Sequence, residues 1–167
     1  RRAAKAINFG LIYGISAYGL ARQLKIDNIE AKNIIDTYFA KYKRVKEFME
    51  ELKESANKNE YVETMHGRKV FLPNISHSNF QVRSAAERTA INAPIQGTAA
   101  DILKIAMINI NQWLVSDGIK NVFMIMQVHD ELVFELEEAD VENYGAKISD
   151  LMSTAEKLSL PLVVNTF

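Results

Sequence analysis

The chain has 167 residues, of which 48% are hydrophobic and 25% charged, and its formal net charge is −1 at pH 7. This is the composition of a globular protein and excludes a uniformly basic nucleic-acid binder. The chain contains no cysteine, which excludes disulfides and thiolate metal sites, and its apolar runs are too short for a membrane span.

The charge is distributed unevenly along the chain. Residues 1–25 carry five basic and no acidic side chains, whereas residues 105–167 carry three basic and ten acidic ones. The N-terminal segment therefore favours phosphate groups. The acidic end can host cations, or it can simply be a solvated acidic helix.

Four helices are predicted in the first 60 residues. They cover about 1–14, 16–24, 27–42 and 45–58. Gly14 is a suitable residue to end the first helix, and Ser16 can cap the second. Asp27, followed by Glu30 three residues later, is a capping box that opens the third.

The rest of the chain mixes helices and short strands. Residues 61–72 predict a small hairpin around His66 and Gly67. Ser78 and Gln81 form a second capping box, and the helix that follows is expected to be interrupted by Pro94. The remaining predicted elements are a helix at 98–114, a hairpin of strands 122–128 and 131–137 with the first strand central in its sheet, a helix at 140–157 and a strand at 160–164. The predicted fold class is α+β, mostly helical.

The first helix carries a distinctive set of side chains at a spacing of four. Arg1, Lys5, Phe9 and Tyr13 lie on successive turns and form one stripe, which we call the α1 stripe. A separate apolar face can pack on the protein, so the stripe is free to meet phosphates and flat rings. One alternative for the stripe is an ordinary amphipathic surface helix. The alternative for Phe9 and Tyr13 is packing in the core.

The turn of the second hairpin is His129-Asp130. A two-residue turn usually contains glycine, because positive φ is needed there. Asp130 and Glu131 would form a carboxylate pair on a rigid strand end, which suits a divalent metal ion. The alternative is an ordinary polar turn.

Three segments resemble motifs of family A DNA polymerases, the bacterial DNA polymerase I group. They are RRAAKAINFGLIYG (1–14), AERTAINAPIQGTAADI (86–102) and QVHDELVFE (127–135). The resemblance implies a chain that is mainly fingers subdomain over 1–93 and mainly the C-terminal part of an antiparallel-sheet palm over 94–167. It also implies that the chain is the C-terminal part of a larger polymerase.

The resemblance assigns roles to the nucleotide-binding residues. Arg1 and Lys5 would hold the triphosphate of an incoming deoxynucleotide, with Lys5 also catalytic. Phe9 would pack on the nucleotide sugar, and Tyr13 would lie near the template base.

The resemblance also assigns a catalytic metal site and a DNA contact surface. Asp130 would bind magnesium in a two-ion site, with Glu131 as its catalytic neighbour. The second aspartate of such a site belongs to an upstream motif that this sequence lacks, so we expect the isolated chain to be inactive. The implied primer-template contacts are Arg83, Arg88, Asn92, Gln96 and His129. The alternative for any one of them is a surface salt bridge.

The implied function is template-directed DNA synthesis from deoxynucleoside triphosphates, in a bacterial-type cytoplasm or a eukaryotic organelle and without a membrane partner. The sequence leaves the oligomeric state open. Two rival interpretations are an inactive nucleic-acid-binding fragment and a helical interaction module that keeps the motifs as scaffold.

Overall fold

The computed structural model describes residues 2–167, except the side chain of Arg2. The helices are α1 (Arg2–Ile12), α2 (Ala17–Leu24), α3 (Asn28–Lys41), α4 (Lys43–Asn59), α5 (Phe80–Ser116) and α6 (Val141–Ser153), and a 3₁₀ turn covers Glu138–Asp140. The strands are β1 (Tyr61–Glu63), β2 (Lys69–Phe71), β3 (Phe123–Val128) and β4 (Glu131–Glu135). The predicted α+β class is confirmed.

The chain forms two compact units, one ending at Gly97 and the other covering Thr98–Phe167. The first unit has two cores, one among α1, α2 and α3 and one where the β1-β2 hairpin meets α4 and α5. Their buried members are Leu11, Leu20, Ala21 and Ala31 in one, and Ala56, Val62, Leu72, Ile75, Ala86 and Ala90 in the other. The second unit has its own core, which joins α5, α6 and the β3-β4 hairpin. Its buried members are Ile110, Leu114, Val122 and Ile148.

Two of the predicted helix starts are confirmed at the level of single hydrogen bonds. Ser16 Oγ accepts from the backbone N–H of Gly19 at 3.1 Å, and Asp27 Oδ1 accepts from that of Glu30 at 2.7 Å. Each bond satisfies an N–H that has no partner inside its own helix. Gly14 follows α1 with a φ of 72°, a conformation that glycine adopts without strain.

The predicted start of α5 is wrong by one residue. Asn79, and not Ser78, caps the helix, because Asn79 Oδ1 accepts from the N–H groups of Gln81 at 2.8 Å and Val82 at 3.4 Å. Both residue types cap well, and the neighbouring asparagine makes the bond.

The predicted interruption at Pro94 is also wrong, since α5 continues through it from Phe80 to Ser116. A proline inside a helix costs about 3 kcal/mol, but its φ is compatible with a helix and only one backbone hydrogen bond is removed. Burial of Ala86 and Ala90 before it and of Ile110 and Leu114 after it holds both parts helical. Packing therefore outweighs the local preference.

The two hairpins are antiparallel and form separate two-stranded sheets. Tyr61 pairs with Phe71 in the first, and Val128 pairs with Glu131 in the second, which contains an irregularity between Met124 and Met126. The second hairpin therefore has the predicted two-residue turn. Its first strand was predicted to be central, but within residues 2–167 β3 pairs with β4 alone.

The C-terminal elements are shorter than predicted. Helix α6 ends at Ser153, not near 157, and the predicted strand at 160–164 does not form in the described residues. A strand needs a neighbour for its backbone hydrogen bonds, and apolar composition alone does not supply one. Leu160 and Val163 are accordingly exposed. No helix among the described residues is long and apolar enough to cross a membrane.

Candidate nucleotide and nucleic-acid interface

Three members of the α1 stripe lie together on the exposed side of α1. Lys5 Nζ lies 5.6 Å from the centroid of the Phe9 ring, within cation-π distance. The Phe9 and Tyr13 centroids are 6.2 Å apart, with ring planes inclined at 37°. Phe9 is 49% and Tyr13 40% exposed, whereas Leu11 on the opposite face is 1% exposed. Arg1, the fourth member, lies outside the described residues.

A groove of about 790 Å³ runs beside this stripe. Its wall on α1 includes Lys5, Phe9 and Tyr13, and its other wall is the end of α2, formed by Gln23, Leu24 and Lys25. A groove of this size, with a cation and flat apolar rings, can hold a ligand that carries both an anion and a planar group.

The sequence analysis missed the second wall of this groove. Lys25 ends α2 in the left-handed conformation, with a φ of 59°, and its N–H donates to the carbonyl of Ala21. Its contribution to the positive charge of residues 1–25 was the only signal in the sequence. The turn between α1 and α2 determines that Gln23 and Lys25 face α1.

Gly14, which follows the end of α1, lies close to side chains of α5. A Cβ atom placed on Gly14 would lie 3.3 Å from Arg88 Cγ and 3.7 Å from Ile91 Cδ1. The side chain of Arg88, a predicted DNA contact, therefore starts beside the end of the α1 stripe. Its Nη1 atom donates to Ser84 Oγ at 3.0 Å.

Three predicted DNA contacts follow one another on α5 at a spacing of four. Arg88 and Gln96 are exposed, and Asn92 between them is partly buried. Successive turns place the three on one side of the helix. Asn92 Oδ1 is buried and has no hydrogen-bond partner among the described residues. Buried side-chain acceptors usually have a hydrogen-bond partner, so this oxygen is unusual.

Arg83, the fourth predicted contact on α5, already has partners within its own unit. Its Nη1 atom donates to the carbonyl of His77 at 2.8 Å, and its guanidinium lies 5.8 Å from the Phe80 ring centroid. Its Nε is 4.0 Å from Glu87 Oε1. These contacts fit the structural alternative for Arg83 and leave its side chain partly exposed.

The second unit displays the remaining predicted residues at the turn between β3 and β4. His129, Asp130 and Glu131 are all exposed. His129 has a φ of 55°, so a non-glycine residue occupies the left-handed conformation, and its carbonyl accepts from Gln127 Nε2 at 2.8 Å. A non-glycine residue in this conformation costs about 1 to 3 kcal/mol.

The turn carries two candidate magnesium ligands. Asp130 and Glu131 offer the carboxylate oxygens that Mg²⁺ prefers, and Mg²⁺ is usually held by one or two carboxylates together with substrate phosphates. No group of three candidate metal ligands occurs in the described part of the chain. A further metal ligand would have to come from a group other than Asp130 and Glu131.

The sequence profile described as "DNA polymerase family A" matches residues 1–167, the whole chain. The chain therefore belongs to DNA polymerase family A, and the predicted family is confirmed.

Individual relatives agree with this membership. The chain is 52% identical over 164 residues to "DNA polymerase I" of Pseudomonas aeruginosa, covering 98% of this chain and 18% of that protein. It is 47% identical over 165 residues to "DNA polymerase I" of Streptococcus pneumoniae, covering 99% and 19%. The chain thus spans about a fifth of the length of these curated relatives.

A solved structure resembles the fold. It is described as "POL domain of Pol1 from M. smegmatis complex with DNA primer-template and dNTP", with a TM-score of 0.90 and 45% sequence identity. The match covers 96% of this chain and 28% of that one.

Proposed function

We propose that the protein containing this chain synthesises DNA on a template, adding deoxynucleotides to the 3′ end of a primer. Family membership and the relatives named DNA polymerase I support the reaction class. The observation that carries the proposal is the exposed α1 stripe, where Lys5, Phe9 and Tyr13 line one groove.

In this proposal the groove takes the incoming deoxynucleoside triphosphate. Arg1 and Lys5 bind its phosphates charge to charge, and Phe9 packs on its sugar. Tyr13 lies near the template base, since an aromatic ring can contact any of the four bases. The M. smegmatis relative, whose description includes a dNTP, supports the choice of ligand.

The proposed primer-template contacts use residues of both units. Arg83 and Arg88 bind phosphates, which fixes position without reading sequence. Asn92, Gln96 and His129 meet minor-groove acceptors that occur in every base pair. A copying enzyme needs contacts of this kind because it must accept any sequence. For Asn92 the donor in this proposal is its amide nitrogen, because Oδ1 is an acceptor and cannot bond to another acceptor.

For catalysis we propose a two-magnesium site in which Asp130 is a metal ligand and Glu131 its neighbour. When bound, the ions lower the pKa of the primer 3′-hydroxyl and neutralise the leaving pyrophosphate. Asp130 is suited to this role because the turn of the β3-β4 hairpin displays it to solvent. The second carboxylate lies outside this chain, so the isolated 167 residues are inactive.

We further propose that residues 1–93 are mainly fingers and residues 94–167 mainly palm. The division of the chain after Gly97 supports a boundary near this point. The bacterial relatives support a cytoplasmic protein that works on chromosomal DNA in replication or repair.

The proposal is tested by Asp130→Ala in the intact polymerase. Nucleotide addition to a primed template is expected to be lost, while the affinity for the duplex stays nearly unchanged. Glu137→Ala, which removes an exposed carboxylate beyond β4, is the matched control and keeps both properties. Loss of duplex binding together with activity would identify Asp130 as a structural turn residue.

A second candidate function, a nucleic-acid-binding fragment without catalysis, describes the isolated chain. The absence of three metal ligands in the described residues favours it over an active fragment. The purified 167-residue chain is expected not to extend a primer in magnesium. Extension by this fragment alone would contradict the assignment of the second carboxylate to another segment.

A further inference from the structure

The turn between α1 and α2 places the side chain of Ile15 between the two helices that line the groove beside the α1 stripe. Ile15 follows Gly14, which has the left-handed conformation at the end of α1, and precedes Ser16, which caps α2. It is partly buried and packs against the core that contains Leu11 and Leu20. This one apolar residue therefore lies where the two helices meet.

The backbone of Ile15 is held at the end of α1 by hydrogen bonds. Its N–H donates to the carbonyl of Gly10 at 2.8 Å, and the N–H of Gly14 donates to the carbonyl of Leu11 at 3.0 Å. These two bonds are the pattern of a Schellman motif, which satisfies the last carbonyls of a helix. The position of Ile15 relative to α1 therefore depends on its backbone as well as on its side chain.

At the start of α2 the same residue occupies the position before the N-cap. Leu20, four residues after the capping residue Ser16, is fully buried in the core against which Ile15 packs. Apolar residues at these two positions form a hydrophobic staple, which fixes the angle at which the chain enters a helix. Ile15 is thus tied to α2 as well as to α1.

Two glycines leave just enough room for the Ile15 side chain. A Cβ atom placed on Gly10 would lie 3.1 Å from Ile15 Cγ2, and one placed on Gly19 would lie 2.9 Å from Ile15 Cγ1. Carbon atoms in ordinary contact are about 3.5 Å or more apart. Isoleucine is β-branched and stiff at χ1, so its Cγ atoms cannot easily turn away. A methyl group at position 19 therefore has to displace α2.

A displacement at Gly19 reaches the groove because α2 is short. Helix α2 has eight residues, and Lys25 in the groove wall lies less than about two turns beyond Gly19. The opposite wall, on α1, contains Lys5 and Phe9. A shift of α2 at Gly19 therefore changes the distance between the two walls.

We propose that Ile15 is a positioning residue for the incoming nucleotide, because it keeps α1 and α2 at the separation that the groove requires. Its side chain fills the space between Gly10 on α1 and Gly19 on α2, and the absence of a side chain at both glycines lets the helices approach it closely. The inference rests on the proposed function, which places the triphosphate and the sugar in this groove.

The test is Gly19→Ala in the intact polymerase, since Gly19 lies outside the groove wall. The added methyl has to move by about half an ångström to reach an ordinary contact distance. Because a displacement of about 1 Å can reduce a rate about 100-fold, kcat/KM for a deoxynucleotide should fall about 10-fold. The fall is expected mainly in KM, with the affinity for primer-template nearly unchanged.

Two variants of Ile15 separate positioning from folding. Ile15→Ala removes Cγ1, the atom nearest to the added methyl. Alone it should also raise KM, because the spacer is lost, and Gly19→Ala should have no further effect on KM in that background. Ile15→Val keeps both carbons on Cβ and should retain the KM of the unaltered enzyme. The melting temperature of every variant is measured beside its kinetics.

Gly145→Ala in α6 is the matched control, because no atom lies within 4 Å of the added Cβ, and it should leave KM unchanged. An unchanged KM in both Gly19→Ala and Ile15→Ala would overturn the proposal, whether or not the melting temperature falls. The same loss from Gly19→Ala with and without the Ile15 side chain would overturn it too.

Lys5→Ala distinguishes failure of this inference from failure of the proposed function. If Lys5→Ala raises KM for the deoxynucleotide and the Gly19 and Ile15 variants do not, the groove holds the nucleotide and only the role of Ile15 is refuted. If Lys5→Ala leaves KM unchanged as well, the placement of the nucleotide in the groove is refuted.

Discussion

Gly97→Ala is expected not to stabilise the first unit, although the same change usually stabilises a helix. Gly97 lies inside α5, where replacing glycine by alanine ordinarily contributes about 1 kcal/mol. A Cβ atom at Gly97 would lie only 2.6 Å from Thr64 Cγ2 and 3.2 Å from Arg68 Nη2. Thr64 cannot easily move, because it is 5% exposed and its Oγ1 accepts from the N–H of Arg68 at 3.1 Å.

The net effect follows from these opposing terms. Overpacking a filled site costs about 1 to 3 kcal/mol. Subtracting the propensity gain leaves Gly97→Ala between about neutral and 2 kcal/mol less stable. Gly145→Ala in α6 is the matched control, because no atom lies within 4 Å of the added Cβ, and it should stabilise by about 1 kcal/mol.

Urea unfolding followed by helical circular dichroism measures both changes. A double-mutant cycle of Gly97→Ala with Thr64→Ser then tests the cause, since serine lacks the Cγ2 methyl. The double variant should be more stable than the sum of the single changes predicts. Equal stabilisation by Gly97→Ala and Gly145→Ala, or additivity in the cycle, would refute the steric argument.

Three further substitutions test single assignments. Asn79→Ala should cost about 0.5 to 2 kcal/mol of stability by removing the α5 cap, with Ser78→Ala nearly neutral in the same urea titration. Lys5→Ala in the intact polymerase should weaken nucleotide use by about 1.5 to 3 kcal/mol and primer-template affinity far less; equal effects in steady-state kinetics and DNA titrations would contradict a triphosphate contact. Phe9→Tyr should raise incorporation of dideoxynucleotides relative to deoxynucleotides. A dideoxynucleotide lacks the 3′-hydroxyl, and the phenolic hydroxyl of tyrosine supplies a polar group in its place. An unchanged ratio in competitive incorporation would return Phe9 to a packing role.

The elements that could be predicted from the sequence are those fixed by neighbouring residues. Ser16 and Asp27 cap their helices because the N–H groups that they bind are three residues away. The turn at His129-Asp130 is local in the same sense. The spacing of four likewise placed Lys5, Phe9 and Tyr13 on one side of α1 before any packing was known.

The elements that could not be predicted depend on distant parts of the chain. Helix α5 continues through Pro94 because both of its ends are packed in a core. Local sequence preferences do not predict such packing. An apolar run at 160–164 becomes a strand only if a partner strand is present. The second wall of the groove beside the α1 stripe requires the turn between α1 and α2, so the sequence around Lys25 indicated only its positive charge and not its position in the groove.

The exposure of aromatic side chains in the first unit distinguishes residues that pack in the core from residues that do not, which their spacing in the sequence cannot do. Phe9, Tyr13, Tyr38 and Phe39 all occur at helical spacing, and core packing is the ordinary explanation for each. Tyr38 and Phe39 do pack against the core around Leu11, and their rings meet edge to face at 5.4 Å. Phe9 and Tyr13 stay about half exposed beside that same core. Their exposure is compatible with the proposed contact between the α1 stripe and a nucleotide, and it does not fit the packing alternative.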